Sequence, residues 1–389
     1  MEVPDPDNGE GGAAASVEVN PVASMRIGID LRLHAYAPGG ISRYARRLAR
    51  ALIEVISPEQ LTLIAHRKEQ DPLTLPGVRV KAVWTPPHHP LEKWSLGAEL
   101  LTSRLDILHS TDFIPPIWGA RRLVVTVHDL NFLHYPDYLT AEARRFYNRQ
   151  ISWAVMRADS ILVDSYATQQ DLVDLLHVSP KRVTVVHLAA DERFRPVPDA
   201  KVTSVLERYE LGRGYLLFVG VWEPRKNLPG LLDALAVLRG DGVCPMLVIA
   251  GRPGWLYGEI YTKIQSLDLE SCVRFIEAPG MDELVALYNG ASVLVMPSFY
   301  EGFGFPALEA MQCGTPVVVS DRASLPEVVG DAGLLIDPDD PSTIAEACRR
   351  LLDDPDLQTH YREAGIRQAQ TFSWRATAEK TLAAYRAVL

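Results

Sequence analysis

The run Gly220-Val221-Trp222-Glu223-Pro224-Arg225-Lys226-Asn227 follows a short apolar segment, Leu216–Val219, and precedes a stretch of helical period. Gly220 permits a tight turn. Arg225 and Lys226 then stand at a helix N-terminus, where the dipole and the free N–H groups already favour an anion. Two cations added there can clamp a diphosphate without a metal ion. The competing reading is a solvated basic turn. A second run, Pro297-Ser298-Phe299-Tyr300-Glu301-Gly302-Phe303-Gly304-Phe305-Pro306-Ala307-Leu308-Glu309, follows the apolar segment Val293–Met296. Its glycines let backbone N–H groups near Phe303 and Phe305 approach a ligand closely. Pro306 suits the start of a helix, which places Glu309 about one turn in. Carboxylates on either side of the glycines, Glu301 and Glu309, suit the hydroxyls of a sugar or ribose.

The same segment contains a dinucleotide-binding pattern, Gly302-x-Gly304-x-x-Ala307, with Asp321 following a later strand. Such glycines should follow their strand directly, yet Pro297–Glu301 intervene. The pattern also leaves Arg225, Lys226, Glu301 and Glu309 without a role.

Two features of the N-terminal half complete the set. Pro38-Gly39-Gly40-Ile41-Ser42 follows the first strand-like run. His128-Asp129 ends another, Leu123–Val127. Further along, Arg43, Arg46, Arg47 and Arg50 recur at helical spacing, with Ile41, Tyr44, Leu48 and Leu52 on the opposite side. That arginine stripe is either a solvated face or a contact for an anionic acceptor or lipid surface. His88, His89 and Trp94 lie in a Pro-rich stretch placed to shape an acceptor pocket.

The elements that must hold these residues alternate. Apolar runs at Arg26–Asp30, Leu61–Ala65, Ile107–Ser110, Leu123–His128, Ser160–Ser165 and Val183–His187 read as buried parallel strands. Helical stretches such as Ile41–Val55, Ala141–Met156 and Thr168–Leu176 lie between them. The alternation restarts after Arg193–Pro198, with strands at Leu216–Val219, Met246–Ala250, Val273–Ile276, Val293–Met296 and Pro316–Ser320. Two doubly wound, Rossmann-like α/β domains facing a cleft are therefore expected, and a ligand belongs at the carboxyl ends of the strands. The expected divisions are an acidic, disordered tail over 1–24, a first Rossmann-like domain over 25–195, and a second over 196–370. A C-terminal helix over 371–389 should return to the first domain.

Taken together, these motifs resemble glycosyltransferase family 4, whose fold is GT-B. The E-x7-E pair is Glu301 and Glu309, and the E-P-R-K-N segment is Glu223–Asn227. Gly314-Thr315-Pro316-Val317-Val318 and Leu325-Pro326-Glu327-Val328-Val329 add to the likeness, which extends from Met25 to Leu389. The resemblance implies a retaining hexosyltransferase, in its best form transferring α-mannosyl from GDP-mannose to a glycan or lipid-linked acceptor. UDP-glucose and dTDP-rhamnose stay open as donors. It implies that Arg225 and Lys226 hold the donor phosphates and that the Gly39-Gly40 loop closes over them. Glu309 would accept from the ribose, Glu301 would contact the transferred sugar, and His128 would stabilise the reacting complex. Backbone around Gly302, Phe303, Gly304 and Phe305 would hold sugar or phosphate oxygens, and the base would lie near Glu277–Gly280. Many members carry Gly-Arg where this chain has Gly220-Val221, so phosphate binding leans on Arg225 and Lys226. No cofactor or metal is expected. A sugar-nucleotide epimerase or a non-catalytic nucleotide-sugar binder of the same fold remains as an alternative.

Composition agrees with this picture and removes other classes. The chain has 389 residues, 47% of them hydrophobic and 23% charged, and no apolar run near the roughly 20 residues of a membrane span. Net charge is −10, with 22 Lys and Arg against 19 Asp and Glu over residues 26–200. An acidic protein with one mildly basic half is a poor nucleic-acid binder, although that half can face an anionic acceptor or membrane surface. The first 25 residues hold five acids and no Lys or Arg, unlike a signal peptide. Four widely spaced cysteines, Cys244, Cys272, Cys313 and Cys348, read as buried free thiols of a cytoplasmic protein.

Overall fold

A computed structural model describes residues 25–36, 39–138, 140–254 and 258–389. The expectation of a disordered tail and the position of Pro38 lie outside these residues. The first half contains β1 (Ile27–Asp30), α1 (Gly40–Leu52), β2 (Leu61–His66), β3 (Arg79–Val83), α2 (Glu92–Leu100), β4 (Leu105–Ser110), β5 (Ala120–Val127), α3 (Asn131–His134), α4 (Ala141–Arg157), β6 (Ser160–Val163), α5 (Tyr166–Leu176) and β7 (Val183–Val185). Its strands form one parallel sheet in the order β3-β2-β1-β4-β5-β6-β7. The second half contains α6 (Asp199–Arg208), β8 (Tyr215–Trp222), α7 (Leu228–Gly240), β9 (Leu247–Pro253), α8 (Gly258–Ser266), β10 (Val273–Glu277), α9 (Met281–Gly290), β11 (Ala291–Met296), α10 (Phe305–Gln312), β12 (Val317–Ser320), α11 (Leu325–Val329), β13 (Leu334–Ile336), α12 (Pro341–Asp353), α13 (Pro355–Ala369) and α14 (Trp374–Ala387). Those strands form a second parallel sheet, β10-β9-β8-β11-β12-β13.

The central strands of both sheets are near-continuous apolar runs because helices cover both faces. Ile27, Ile29, Leu63 and Ile107 in the first sheet, and Leu217, Ile249, Val293 and Leu294 in the second, are at most 1% exposed. In each sheet the order reverses beside the first strand, which opens a crevice at the carboxyl edge.

Helix α14 crosses back to the first domain and packs against α1. Tyr385 Oη and His109 Nδ1 are 2.6 Å apart, Thr377 donates to the His187 carbonyl at 2.8 Å, and Trp374 Nε1 donates to that of Ala190. Among the described residues no helix is long and apolar enough to cross a membrane.

The cysteines correct one expectation. Cys313 and Cys348 are buried free thiols, but Cys244 and Cys272 are joined in a disulfide. Each precedes a strand, and the parallel pairing of β9 with β10 sets their backbones side by side, with Leu247 N–H donating to the Cys272 carbonyl.

Candidate active site

Strand β8 ends at Trp222, and the chain turns through Pro224–Lys226 into α7. Asn227 takes a left-handed conformation, φ 55°, and caps α7 by accepting from Gly230 N–H at 3.1 Å. This cap aims the two preceding cations at Glu301, which follows β11. Lys226 Nζ donates to Glu301 Oε1 and Arg225 Nη1 to Oε2, at 2.5 and 3.0 Å. Arg225 also donates to the Tyr300 carbonyl and pairs with Glu223 at 2.8 Å, while its Nε is buried with no partner. Burial alone would raise the Glu301 carboxyl. Lys226 and Arg225 outweigh it and hold the group down at about 2. Burial is also the largest influence on Lys226 and lowers it.

Both carboxylate oxygens of Glu301 are thus engaged by cations. In this arrangement Glu301 braces the two cations.

Glu309 lies one turn into α10, as the placement of Pro306 in the first turn requires. Tyr288 Oη on α9 donates to it at 2.8 Å. Burial raises its carboxyl to about 7, and Tyr288 and Arg43 offset only part of that rise. Glu309 lines a cavity of about 80 Å³ between the domains, with Gly40, Arg43, Arg47, Met281 and Phe305. Gly39 caps α1, and its N–H donates to Ser42 Oγ at 2.9 Å. Met281, which begins α9 directly after Gly280, puts the segment expected to hold the base at the rim of this cavity.

The arginine stripe does not form one outward surface. Arg43 and Arg47 line the interdomain cavity, and Arg47 pairs with Asp191. Arg46 pairs with Asp71 at 2.9 Å, and Arg50 is exposed. The helical spacing is correct, but α1 lies against the second domain and α14, so that part of its polar side meets the cleft.

His128 ends β5 and is fixed from two sides. Its Nδ1 lies 2.6 Å from Asp164 at the end of β6, and its Nε2 lies 3.0 Å from the Thr111 carbonyl after β4. The Tyr44 ring meets it edge-on at 4.8 Å between centroids. Burial alone would lower this imidazole. The Asp164 carboxylate overrides that and lifts it to about 9, so it is an imidazolium at neutral pH.

The two domains touch beside these groups. A Cβ on Gly302 would lie 2.3 Å from the His128 carbonyl oxygen, so only glycine permits this approach. Gly304, at φ 106°, then turns the chain into α10. Tyr300 Oη donates to Asp171 at 2.6 Å, and Glu327 accepts from Tyr166 N–H at 2.9 Å and contacts His187. Arg225 and Lys226 do not line the cavity at Glu309. The expected site residues therefore form two groups: Gly40, Phe305 and Glu309 at the cavity, and Arg225, Lys226 and Glu301 near His128-Asp129. The stretch Glu301–Glu309 joins them.

Among the described residues no group of three or more His, Cys, Asp or Glu side chains is placed to hold a metal ion. The dinucleotide fingerprint fails on geometry, since β11 ends at Met296, well before Gly302.

Known proteins match this arrangement in both halves. Residues 38–194 fit the family described as Glycosyltransferase Family 4, and residues 207–368 fit Glycosyl transferases group 1. An O-antigen chain mannosyltransferase B from Escherichia coli is 34% identical over 282 residues, which is 72% of this chain and 74% of that one. The chain belongs to glycosyltransferase family 4. A D-inositol 3-phosphate glycosyltransferase from Corynebacterium jeikeium is 33% identical over 342 residues, 78% of this chain and 80% of that one. Among solved structures, a sucrose-phosphate synthase from Thermosynechococcus elongatus superposes with a TM-score of 0.73 at 22% identity, covering 93% and 98% of the two chains. This family 4 enzyme accordingly has the GT-B fold.

Sequence reasoning missed the partners that hold the family 4 residues in place: Asp164 under His128, Tyr288 beside Glu309, Asp171 against Tyr300, and Glu327 at the domain contact. Asp164 carried a readable signal. It follows the apolar run Ser160–Val163 directly, at the carboxyl edge next to the strand that ends in His128.

Proposed function

We propose that this glycosyltransferase is a metal-independent, retaining enzyme that moves an α-mannosyl group from GDP-mannose to a glycan or lipid-linked acceptor. The observation that carries this reading is the convergence of Arg225 and Lys226 on buried Glu301, directly beside the contact with His128. Two fixed cations at the end of β8 match the charge of a departing diphosphate. The unpartnered Arg225 Nε is a donor that a phosphate oxygen would satisfy. At Gly40 a Cβ would meet no protein atom within 4 Å, so packing does not demand glycine there, and a ligand in the cavity supplies a reason. Glu309, lining the cavity, accepts from the ribose hydroxyls in this reading.

In the reaction the bond between the sugar C1 and the β-phosphate oxygen breaks, giving an oxocarbenium-like sugar and GDP. The acceptor oxygen bonds to C1 on the same face, and its proton passes to the leaving phosphate oxygen. Arg225, Lys226 and the helix N-terminus behind them stabilise the phosphate charge as it grows, each well-aimed donor contributing about 3 kcal/mol. The closed contact at Gly302 excludes water, and the charge of His128, held by Asp164 and the Thr111 carbonyl, adds to the positive field on the phosphate.

Thermal unfolding with GDP, UDP, dTDP, ADP and NAD at equal concentration tests the donor assignment. GDP at about 100 times its dissociation constant should add roughly 2.7 kcal/mol and shift the midpoint most. A shift with NAD alone would remove the assignment of Glu301 and Glu309.

Glu309 gives a second prediction. Its folded value of about 7 stands above an ordinary carboxyl's 4.5, so above pH 7 the ionised group opposes folding of the empty enzyme. Glu309→Gln should therefore stabilise the unliganded protein at pH 8 by up to about 3 kcal/mol, read by chemical denaturation. The same variant should bind GDP at least tenfold more weakly. Wild-type affinity should fall as pH drops below 7, and calorimetric titration should show this dependence lost in the variant.

A further inference from the structure

A helix packed on a sheet turns polar residues to water. Helix α2 does not. On its inner side Leu96 and Leu100 pack with Val83, Leu108 and Leu123 of the first sheet. Its outer side is apolar as well: Leu91, Trp94, Ala98 and Leu101 recur at intervals of three and four, and all are exposed. Trp94, expected to shape an acceptor pocket, is 46% exposed and belongs to this stripe. Two more tryptophans border it. On one side Trp118, 39% exposed, packs on Gly97, where a Cβ would lie 2.6 Å from its ring. On the other, Trp84, 68% exposed, follows β3, and its N–H donates to Glu99 of α2 at 2.7 Å. The Arg67 guanidinium lies 4.4 Å from the centre of the Trp84 ring.

Helix α4 runs beside α2. Lys93 Nζ lies 4.6 Å from the centre of the Trp153 ring, and the Phe146 ring lies 6.4 Å from that of His88. Arg149 falls between Phe146 and Trp153 at helical spacing, on the side of α4 turned towards α2. Burial lowers the Lys93 ammonium, and the charge of nearby Arg149 adds to this. Helix α4 carries Arg144, Arg145, Arg149 and Arg157 against Glu142 alone. The first three arginines are exposed. The arginine stripe of α1 turns partly into the cleft, whereas here cations and apolar side chains share one outer face.

Apolar residues exposed singly are ordinary, but a contiguous patch rimmed by cations marks an interaction surface. The chemistry selects the partner. Tryptophan, with an apolar body and one polar N–H, concentrates where hydrocarbon meets headgroups. Leucine side chains suit acyl chains, and a surplus of arginine and lysine suits anionic headgroups. An anionic bilayer offers both layers at once. We propose that the outer faces of α2 and α4 dock the enzyme on an anionic lipid membrane. Leu91, Trp94 and Leu101 enter the interface, and Lys93, Arg145 and Arg149 meet the headgroups. Because α2 follows β3, it begins at the carboxyl edge of the sheet, the edge at which β5 leads into His128. Docking therefore holds that edge against the bilayer and favours the lipid-linked acceptor. This consequence rests on the transferase reading above, whereas vesicle binding, measured without substrate, does not.

Sedimentation of the full chain with vesicles is the test. Vesicles of about three parts phosphatidylcholine to one part phosphatidylglycerol should bind the wild type about tenfold more strongly than phosphatidylcholine alone, and raised salt should weaken that binding. Trp94→Glu combined with Leu101→Glu should lower partition onto the anionic vesicles about tenfold. Its unfolding temperature should match the wild type, because both side chains already face water. Arg145→Glu combined with Arg149→Glu should remove the preference for anionic over neutral vesicles. A wild type that stays in the supernatant would overturn the proposal, as would a Trp94 and Leu101 variant that binds vesicles as the wild type does. So would a wild type that ignores vesicles but self-associates through this face, shown by the same variant becoming monomeric in sedimentation equilibrium.

Discussion

Replacing Lys226 with alanine should cut donor kcat/KM by about 10²- to 10³-fold, as expected for removing one well-aimed donor to developing charge. It should also destabilise the fold by about 1–3 kcal/mol, because buried Glu301 loses one of its two cationic partners and keeps Arg225. Both effects arise from one geometry: Lys226 and Glu301 are 6% and 7% exposed and hydrogen-bonded to each other. The two are separable. Pairing Lys226→Met with Glu301→Gln removes both charges and should recover most of the lost stability, read by urea denaturation, without recovering turnover. If Lys226→Ala retained activity within threefold, the diphosphate would not be held at the end of β8.

The second large effect belongs to His128. Its folded value, about 9, lies above the unfolded value of 6.5. Its pairing with Asp164 therefore contributes stability in full below pH 6.5, and this is lost as pH rises through 9. The rise from 6.5 to about 9 corresponds to about 3 kcal/mol for the imidazole, and burial of Asp164, which raises its carboxyl, offsets part of this. Unfolding free energy measured from pH 6.5 to 10 should show that loss. Asp164→Asn should abolish the pH dependence, since the imidazole then falls back towards or below its ordinary value. If the charged imidazole serves the reaction, the alkaline limb of kcat/KM should lie near pH 9 in the wild type and move to about 6.5 or below in Asp164→Asn. An alkaline limb that stayed in place would separate His128 from the chemistry.

The sequence exposed the chemistry better than its supports. Arg225, Lys226, Glu301, Glu309 and His128 each follow a strongly apolar strand or sit in its exit loop, and the carboxyl-edge rule finds such positions. Strand β3 escaped notice because it is an edge strand, largely exposed over Arg79–Ala82, and shows no apolar run. Strand β13 is only three residues long. The braces were harder to read for a different reason. Asp164 and His128 lie 36 residues apart, and Tyr288 and Glu309 lie 21 apart. Apart from the place of Asp164 directly after β6, nothing local marks either pair, and strand order and helix packing bring them together. The arginine stripe shows the same limit: period 3.6 located a polar side, but the partner of that side depended on how the two domains and α14 close around α1. The disulfide likewise depends on the β9–β10 pairing, which cysteine spacing cannot reveal.

The most direct measurement is to incubate the enzyme with GDP-mannose, methyl α-D-mannopyranoside and EDTA, and to read the anomeric configuration of the product by NMR. An α-linked disaccharide formed together with GDP is the expected result. A β-linked product, or formation of product only when divalent metal is restored, would contradict the account of a metal-free, same-face transfer at Arg225, Lys226 and Glu301.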